Sequence, residues 1–287
     1  MLAVIGVCGV KGAPGASTVA LLTAAFWPQP AVLVEADPAG GEWALVLEGP
    51  QGQVLPAKPS IAELAVDAVK RVPSGEQVWA SAMQTSCGVA VVCGMPAAQP
   101  MTQLLREYGR HVGSMLEAEP KVVIDAGRLT PDTPSLALLA ASTVVVVVVP
   151  DRHEAFWRLT DLLPGLLSVM TVEEDVRSVV VPVVVADARR GQAAAREVDE
   201  LLGQRHIPAR QARWLPRDEK VAAAVRAGGT ARVTRSALVR SARSLTEQLA
   251  RQQDVVREQR AHHARLAAAS QTDAAAQWRG AGWARGA

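Results

Sequence analysis

The segment VKGAPGAST at residues 10–18 decides the fold, because it joins an apolar run directly to a helical pattern. Glycines in such a loop let backbone N–H groups turn toward an anion, and the positive end of the following helix adds to the attraction. Gly9, Gly12 and Gly15 supply that freedom, and Ser17 stands where a hydroxyl ligates the magnesium ion of a nucleotide triphosphate. The segment predicts a phosphate-binding loop at the mouth of a parallel sheet.

The rest of the first 186 residues predicts alternating strands and helices. Runs rich in valine and isoleucine lack the apolar/polar alternation of half-exposed strands, which is typical of buried parallel strands. We expect strands at residues 2–7, 31–34, 89–93, 122–124, 143–149 and 179–185, and helices at 17–26, 61–69, 101–116 and 190–202. The predicted fold is α/β: a doubly wound, mainly parallel sheet flanked by helices, with ligands beyond the carboxyl ends of its strands.

The composition suits a folded protein of this class. Hydrophobic residues make up 49% of the 287 residues and charged residues 20%, while aromatic residues are only 3%, so small aliphatic side chains must build the core. We find no secretory signal pattern at the start of the chain, and the longest apolar run, residues 137–149, is too short to span a bilayer. We therefore expect a cytoplasmic protein.

Positive charge is concentrated late in the chain. The net charge is −8 over residues 1–204 and +8 over residues 205–251. Such a block suggests a nucleic acid, an anionic lipid or an acidic protein as partner, although a solvated helix face has the same pattern. Its candidate contacts with a DNA backbone include Arg226, Arg232, Arg235, Arg240 and Arg243.

The pattern after Pro216 changes to helices, which we expect at residues 218–227 and 234–251. The remainder is rich in alanine, arginine and glutamine and has no clear apolar stripe. We predict a nucleotide-binding domain over residues 1–251 and a flexible tail over residues 252–287. In this tail Trp278 and Trp283 alternate with Arg279 and Arg285, which would suit a membrane surface, but glycines interrupt any amphipathic helix there.

The loop departs from an ordinary P-loop at one position. Ala16 stands where a lysine usually precedes the hydroxyl residue, and Lys11 stands at the start of the loop instead. This arrangement resembles the deviant Walker A motif of the MinD/ParA family of P-loop ATPases, in the SIMIBI class. The resemblance implies that Lys11 reaches the phosphates of a partner subunit in a homodimer. It also implies nucleotide contacts by Gly12, Ala13, Gly15, Ala16, Ser17 and Thr18.

Three further segments extend the resemblance. EADPAGG at residues 35–41 is similar to the switch segment of the family, in which Asp37 aligns with the carboxylate that positions the attacking water. VVIDAG at residues 122–127 matches Walker B, so Asp125 and Ser17 are implied as the magnesium ligands, on a strand next to the loop strand. WLPRD at residues 214–218 resembles a family strand that ends in proline, which implies that Pro216 lies beside the nucleotide.

The function implied by the resemblance is an ATP-binding dimeric switch that positions or partitions a cargo, with ATP or ADP and Mg²⁺ as cofactors. The cargo would be a chromosome, a plasmid, or a pilus or secretion machinery. Ala16 implies a weak or degenerate ATPase and points to TadZ/CpaE-like proteins, which often have irregular Walker motifs. Two alternatives stay open: a degenerate scaffold that dimerises without ATP turnover, and a nonspecific DNA-binding protein that acts through residues 205–251.

Overall fold

A central sheet of eight strands organises the computed structural model, which describes residues 4–13, 15–72, 74–118, 121–170, 172–173, 176–229 and 233–282. Its strands are β1 (Val4–Gly9), β2 (Val32–Glu35), β3 (Met83–Gln84), β4 (Ala90–Val92), β5 (Val122–Arg128), β6 (Val144–Pro150), β9 (Val179–Ala186) and β10 (Arg213–Pro216). Two further short strands, β7 (Val172–Glu173) and β8 (Val176–Arg177), pair only with each other.

The strand order of the sheet is β10-β9-β6-β1-β5-β2-β4-β3. All neighbours run parallel except β3 and β4, which are antiparallel. The predicted doubly wound, mainly parallel sheet is therefore confirmed. Strand β1 lies between β5 and β6, so the segments that follow all three strands meet at one edge of the sheet.

The helices of the described residues cover both faces of the sheet. In chain order they are α1 (Ala16–Ala25), α2 (Trp43–Val46), α3 (Ile61–Lys70), α4 (Gly75–Ala80), α5 (Ala98–Glu117), α6 (Leu136–Ala141), α7 (His153–Val169), α8 (Gly191–Gln204), α9 (Glu219–Arg226) and α10 (Ala237–Gly282). Buried side chains of α3, α5, α6, α7 and α8 form one core cluster, and those of α1, α9 and α10 form a second. This two-sided cover is why the central strands are largely apolar.

Strand β6 illustrates the effect, since its sequence VVVVVVP is buried at every position. Valine suits such a strand because its β-branched side chain packs well on a pleated surface. Side chains at alternate positions enter opposite core clusters, with Val145 in one and Val146 in the other. A run without polar alternation is thus the direct product of burial on two faces.

Helix α10 continues through the segment predicted as a tail. Its backbone is helical to Gly282, while residues 283–287, with Trp283 and Arg285, lie outside the described residues. Gln253 and Val256 are 5% and 1% exposed, so the first turns beyond residue 251 pack on the domain. The division into a domain and a flexible tail stays a prediction. Among the described residues, no helix combines the length and apolar character that a membrane-spanning segment requires.

Candidate functional site

The glycine-rich loop joins the end of β1 to the first turn of α1. The backbone N–H of Val10 donates to the carbonyl of Val148 at 3.0 Å, which ties the start of the loop to β6. Gly12 and Gly15 have φ values of 74° and 96°, a region that residues with a Cβ rarely adopt. The loop therefore curls around the N-terminus of α1, as a phosphate cradle requires. Pro14 lies outside the described residues.

A cavity of about 490 Å³, which we call the loop cavity, opens beside this segment. Residues from the ends of four parallel strands reach it, because β1, β2, β5 and β6 terminate at the same edge of the sheet. It is lined by Gly9, Val10, Gly12, Ala13, Gly15, Ala16, Ser17, Thr18, Asp37, Gly127, Arg128 and Arg152. The structure thus brings most of the predicted site residues to one place.

Asp125 lies on β5 at the base of this site and is only 1% exposed. Its Oδ2 accepts a hydrogen bond from Nε1 of Trp43 at 3.3 Å, and the hydroxyl of Ser17 also hydrogen-bonds the carboxylate. Burial raises the pKa of Asp125 to about 7, and the negative charges of Asp37 and Glu35 add to the rise. Sequence reasoning placed Ser17 beside Asp125 and missed Trp43.

Asp37 follows β2 and is half-buried at the wall of the loop cavity. Its Oδ1 accepts the backbone N–H of Ala39 at 2.8 Å. Burial raises its pKa, the nearby Glu42 adds to the rise, and the positive charge of Arg128 opposes it. Gly127 faces the Asp37 carboxyl so closely that a side chain at this position would collide with it.

Glu35 has a structural part in the switch segment. Its carboxylate accepts the backbone N–H groups of Glu42, Trp43 and Gly94 at 2.6, 3.0 and 2.7 Å. Burial raises the pKa of Glu35, against the effect of these three donors. The carboxylate ties the start of α2 to the segment after β4. Because Trp43 opens α2, the same contact fixes the indole that donates to Asp125.

A second cavity of about 280 Å³ lies on the other side of Thr18, and we call it the apolar cavity. Its walls include apolar side chains of α1, β9, β10 and α10, and Pro216 is among the residues that line it. Nη1 of Arg226, on α9, donates to Oγ1 of Thr18 at 3.4 Å across this cavity. Arg226 therefore faces the loop rather than the open surface, although the sequence grouped it with the candidate DNA contacts.

Lys11 and two arginines near the loop differ in whether they line the cavities. Lys11 is exposed, and the residues that line the two cavities do not include it. Arg128 and Arg152 line the loop cavity and were not predicted, although each follows the end of a predicted strand. Since ligands of such sheets bind beyond the carboxyl ends of strands, that position was a usable signal.

The late basic block contributes a separate feature. Arg210, Arg213 and Arg251 line a cavity of about 350 Å³ between the β10 edge of the sheet and α10. No acidic residue is among those that line it. Arg232, another candidate DNA contact, lies outside the described residues. Part of the basic block thus forms a local patch at the sheet edge, while Arg226 belongs to the apolar cavity.

We compared the chain with known protein families, curated proteins and solved structures. No family model matches the chain, and no curated protein matches it. The structure of a ParA family ATPase from Chlorobium tepidum superimposes with a TM-score of 0.63 at 16% identity, over 85% of this chain and 97% of that one. The septum site-determining protein MinD from Pyrococcus horikoshii, complexed with Mg-ADP, gives 0.60 at 13% identity, over 87% and 96%.

The structure of pNOB8 ParA bound to nonspecific DNA gives a TM-score of 0.56 at 12% identity, over 88% of this chain and 99% of that one. All three likenesses extend over nearly the full length of the other protein. Identities this low establish the fold alone. The chain has the MinD/ParA-like P-loop ATPase fold.

Proposed function

We propose that this protein is a nucleotide-gated switch of the MinD/ParA type, which binds ATP or ADP with Mg²⁺ at the loop cavity and acts in positioning or partitioning a cellular cargo. The observation that carries the proposal is the convergence of Ser17, Asp37 and Asp125 on a glycine-rich loop at one edge of the sheet. These residues lie on three elements far apart in the sequence. Their meeting is what a magnesium-nucleotide site requires.

In this proposal each residue has a defined contact. The backbone of Gly12, Ala13, Gly15 and Ala16 and the side chains of Ser17 and Thr18 hold the phosphates, with Pro216 on the side of the base. Ser17 and Asp125 hold Mg²⁺, either directly or through water, and the ion supplies positive charge to the β- and γ-phosphates. The buried Asp125 suits that role, since a divalent cation would favour its charged form.

Dimerisation is the second part of the proposal. Lys11 is exposed at the start of the loop and does not line the cavity of its own subunit. A side chain so placed is available to the phosphates of a second copy facing the same edge of the sheet. The resemblance of the loop to the deviant Walker A motif supports this assignment, and ATP would then stabilise a homodimer.

The decisive experiment measures nucleotide binding and oligomeric state together by light scattering during an ATP-Mg²⁺ titration. We expect ATP to promote a dimer and Lys11→Ala to abolish it, while Lys70→Ala, at an exposed lysine on α3, serves as the matched control. An unchanged monomer fraction with and without ATP would overturn the dimeric switch.

Hydrolysis is a separate question, because Ala16 removes a positive charge from the phosphate site. A lysine there contributes several kcal/mol of transition-state stabilisation, so turnover should be slow. We expect Ala16→Lys to raise the ATP turnover rate of the dimer. A rate that stays at background in this variant would favour the alternative of a scaffold that dimerises without turnover.

Nonspecific DNA binding is the other candidate activity. It is favoured by the cavity that Arg210, Arg213 and Arg251 line, since no acidic residue is among the lining residues. Phosphate contacts of this kind make affinity fall steeply with salt. We expect Arg210→Gln/Arg213→Gln to reduce the salt dependence of DNA binding and Arg106→Gln, on the exposed face of α5, to leave it unchanged. Absence of binding to duplex DNA at low salt would remove this activity.

The cargo and its location complete the proposal. We place the protein in the cytoplasm, where its partner would be a chromosome, a plasmid, or a component of a pilus or secretion system. The missing P-loop lysine favours the TadZ/CpaE-like branch, in which irregular Walker motifs occur. Contact of the C-terminal segment with a membrane surface is the least supported of these proposals. Its pattern of alternating tryptophan and arginine is short, although α10 stays helical through Gly280.

A further inference from the structure

Two arginines and one carboxylate, Asp37, line the loop cavity, so its charged residues are net positive even though the P-loop lysine is absent. Ala16 contributes only a methyl group, and Lys11 does not line the cavity. Two arginines do line it, Arg128 and Arg152. A nucleoside triphosphate carries several negative charges. Positive groups near its phosphates are therefore needed for tight binding.

The fold places these arginines on opposite sides of the loop. Arg128 is the last residue of β5 and is paired in register with Gly9, the last residue of β1. Arg152 immediately precedes α7, two residues after β6 ends at Pro150, and its side chain makes no capping hydrogen bond to the helix. Since β1 lies between β5 and β6, the two arginines follow the strands on either side of the loop strand, and both line the loop cavity.

Both arginines are available to a ligand. Each is exposed, and within the described part of the chain no salt bridge involves either of them. Arg128 lines the same cavity as Asp37, and its positive charge opposes the rise in the pKa of that carboxyl. By contrast, Arg226 donates to Thr18 from the apolar cavity and is not among the residues that line the loop cavity.

We propose that Arg128 and Arg152 bind the β- and γ-phosphates of a nucleoside triphosphate from the two sides of the loop, in place of the lysine replaced by Ala16. This inference rests on the proposed nucleotide binding. Guanidinium groups suit the task because their planar set of donors matches phosphate oxygens in pairs. Charge supplied from two neighbouring strands allows tight triphosphate binding by a loop that has lost its own cation.

The test compares the affinities of ATP and AMP, each with Mg²⁺, by isothermal titration calorimetry of the full chain. Arg128→Gln and Arg152→Gln should each weaken ATP binding about tenfold, the loss expected for one hydrogen bond between charged groups. AMP lacks the β- and γ-phosphates, so its affinity should stay unchanged. Arg196→Gln, at an exposed position of α8, removes the same charge elsewhere and should change neither affinity.

A rescue experiment separates charge from local structure. Adding Ala16→Lys to Arg128→Gln/Arg152→Gln should restore ATP affinity, because a lysine at the usual P-loop position supplies the missing charge. Arg128→Lys and Arg152→Lys should retain more ATP affinity than the glutamine variants and keep the inference testable if the double variant fails to fold.

The outcomes are distinct. ATP affinity that is unchanged in the glutamine variants, or ATP and AMP affinities that fall equally, would overturn the role of the two arginines while leaving nucleotide binding intact. A wild-type chain that binds neither nucleotide would overturn the proposed function and this inference together. Selective loss of ATP affinity with rescue by Ala16→Lys would support both.

Discussion

Asp125 has a pKa of about 7 because burial disfavours its charged form and because Asp37 and Glu35 lie nearby. The hydroxyl of Ser17 and the backbone N–H of Gly127 partly compensate by donating hydrogen bonds to the carboxylate. A carboxyl poised in this way is half-protonated near neutral pH. A cation that binds it must displace a proton in part of the population.

This property predicts a pH dependence of magnesium binding. Below pH 7 the metal-free carboxyl holds a proton, so Mg²⁺ affinity in the presence of ATP should rise about tenfold per pH unit as pH increases and should level off above the pKa. Mg²⁺ titrations over this range measure the slope. The Asp125→Asn variant loses the titration of this carboxyl, so its slope should be shallower, and an equal slope in both proteins would contradict the assignment.

Gly127 lies directly against the carboxyl of Asp37. Its φ is 67°, and an added side chain would collide with the carboxyl of Asp37. Gly88 has a similar φ of 81°, and an added Cβ there would meet nothing within 4 Å. The Gly88→Ala variant therefore measures the cost of backbone strain without a collision. Gly127→Ala should lower the free energy of unfolding by about 1–3 kcal/mol more than Gly88→Ala.

Urea denaturation of both variants measures this difference. Adding Asp37→Ala to Gly127→Ala should recover most of the excess loss, because the colliding carboxyl is then absent. If the double variant is no more stable than Gly127→Ala alone, the collision is not the cause.

At the scale of elements, the packing of α8 on β10 depends on one small residue. A Cβ at Gly191 would overlap the ring of Trp214 on β10, whereas Gly203, near the other end of α8, has open space around it. Gly191→Ala should destabilise the protein by about 1–3 kcal/mol through overpacking. Gly203→Ala should stabilise it by up to about 1 kcal/mol, because alanine is the better helix former.

Thermal and urea denaturation compare the two variants directly. Since both replace glycine by alanine in the same helix, helix propensity cannot account for opposite signs. Destabilisation of similar size in both variants would show that contact with Trp214 does not limit this position.

Elements differ in how far the sequence predicts them. Strand β9 was expected at residues 179–185 and runs over Val179–Ala186. The prediction succeeds because a continuous apolar run is typical of a strand that is buried on both faces. Helix α7 was not predicted, and it contains Pro164, which interrupts helical patterns and lacks a backbone donor. The helix forms because Phe156, Leu159 and Leu163 are buried, a tertiary contribution that outweighs propensity.

At the scale of the whole molecule, α10 joins the domain to the C-terminal segment. Val256 lies beyond the predicted boundary at residue 251 and is 1% exposed. A chain that ends at Arg251 should therefore unfold with a free energy about 2 kcal/mol lower than one that ends at Arg265, since it loses the burial of Val256. Equal stability of these two truncated chains in urea would support the boundary at residue 251.

The sequence by itself determined the features that arise from local order. These are the glycine-rich loop between a strand and a helix, the valine-rich strands, and the carboxylates of Asp37, just after β2, and Asp125, within β5. Only the tertiary structure decided which distant residues join them. Trp43 reaches Asp125 across 82 positions and Arg226 reaches Thr18 across 208. Arg128 and Arg152 line one cavity because β1 lies between β5 and β6. Strand order brings these residues together, and strand order depends on packing rather than on local periodicity.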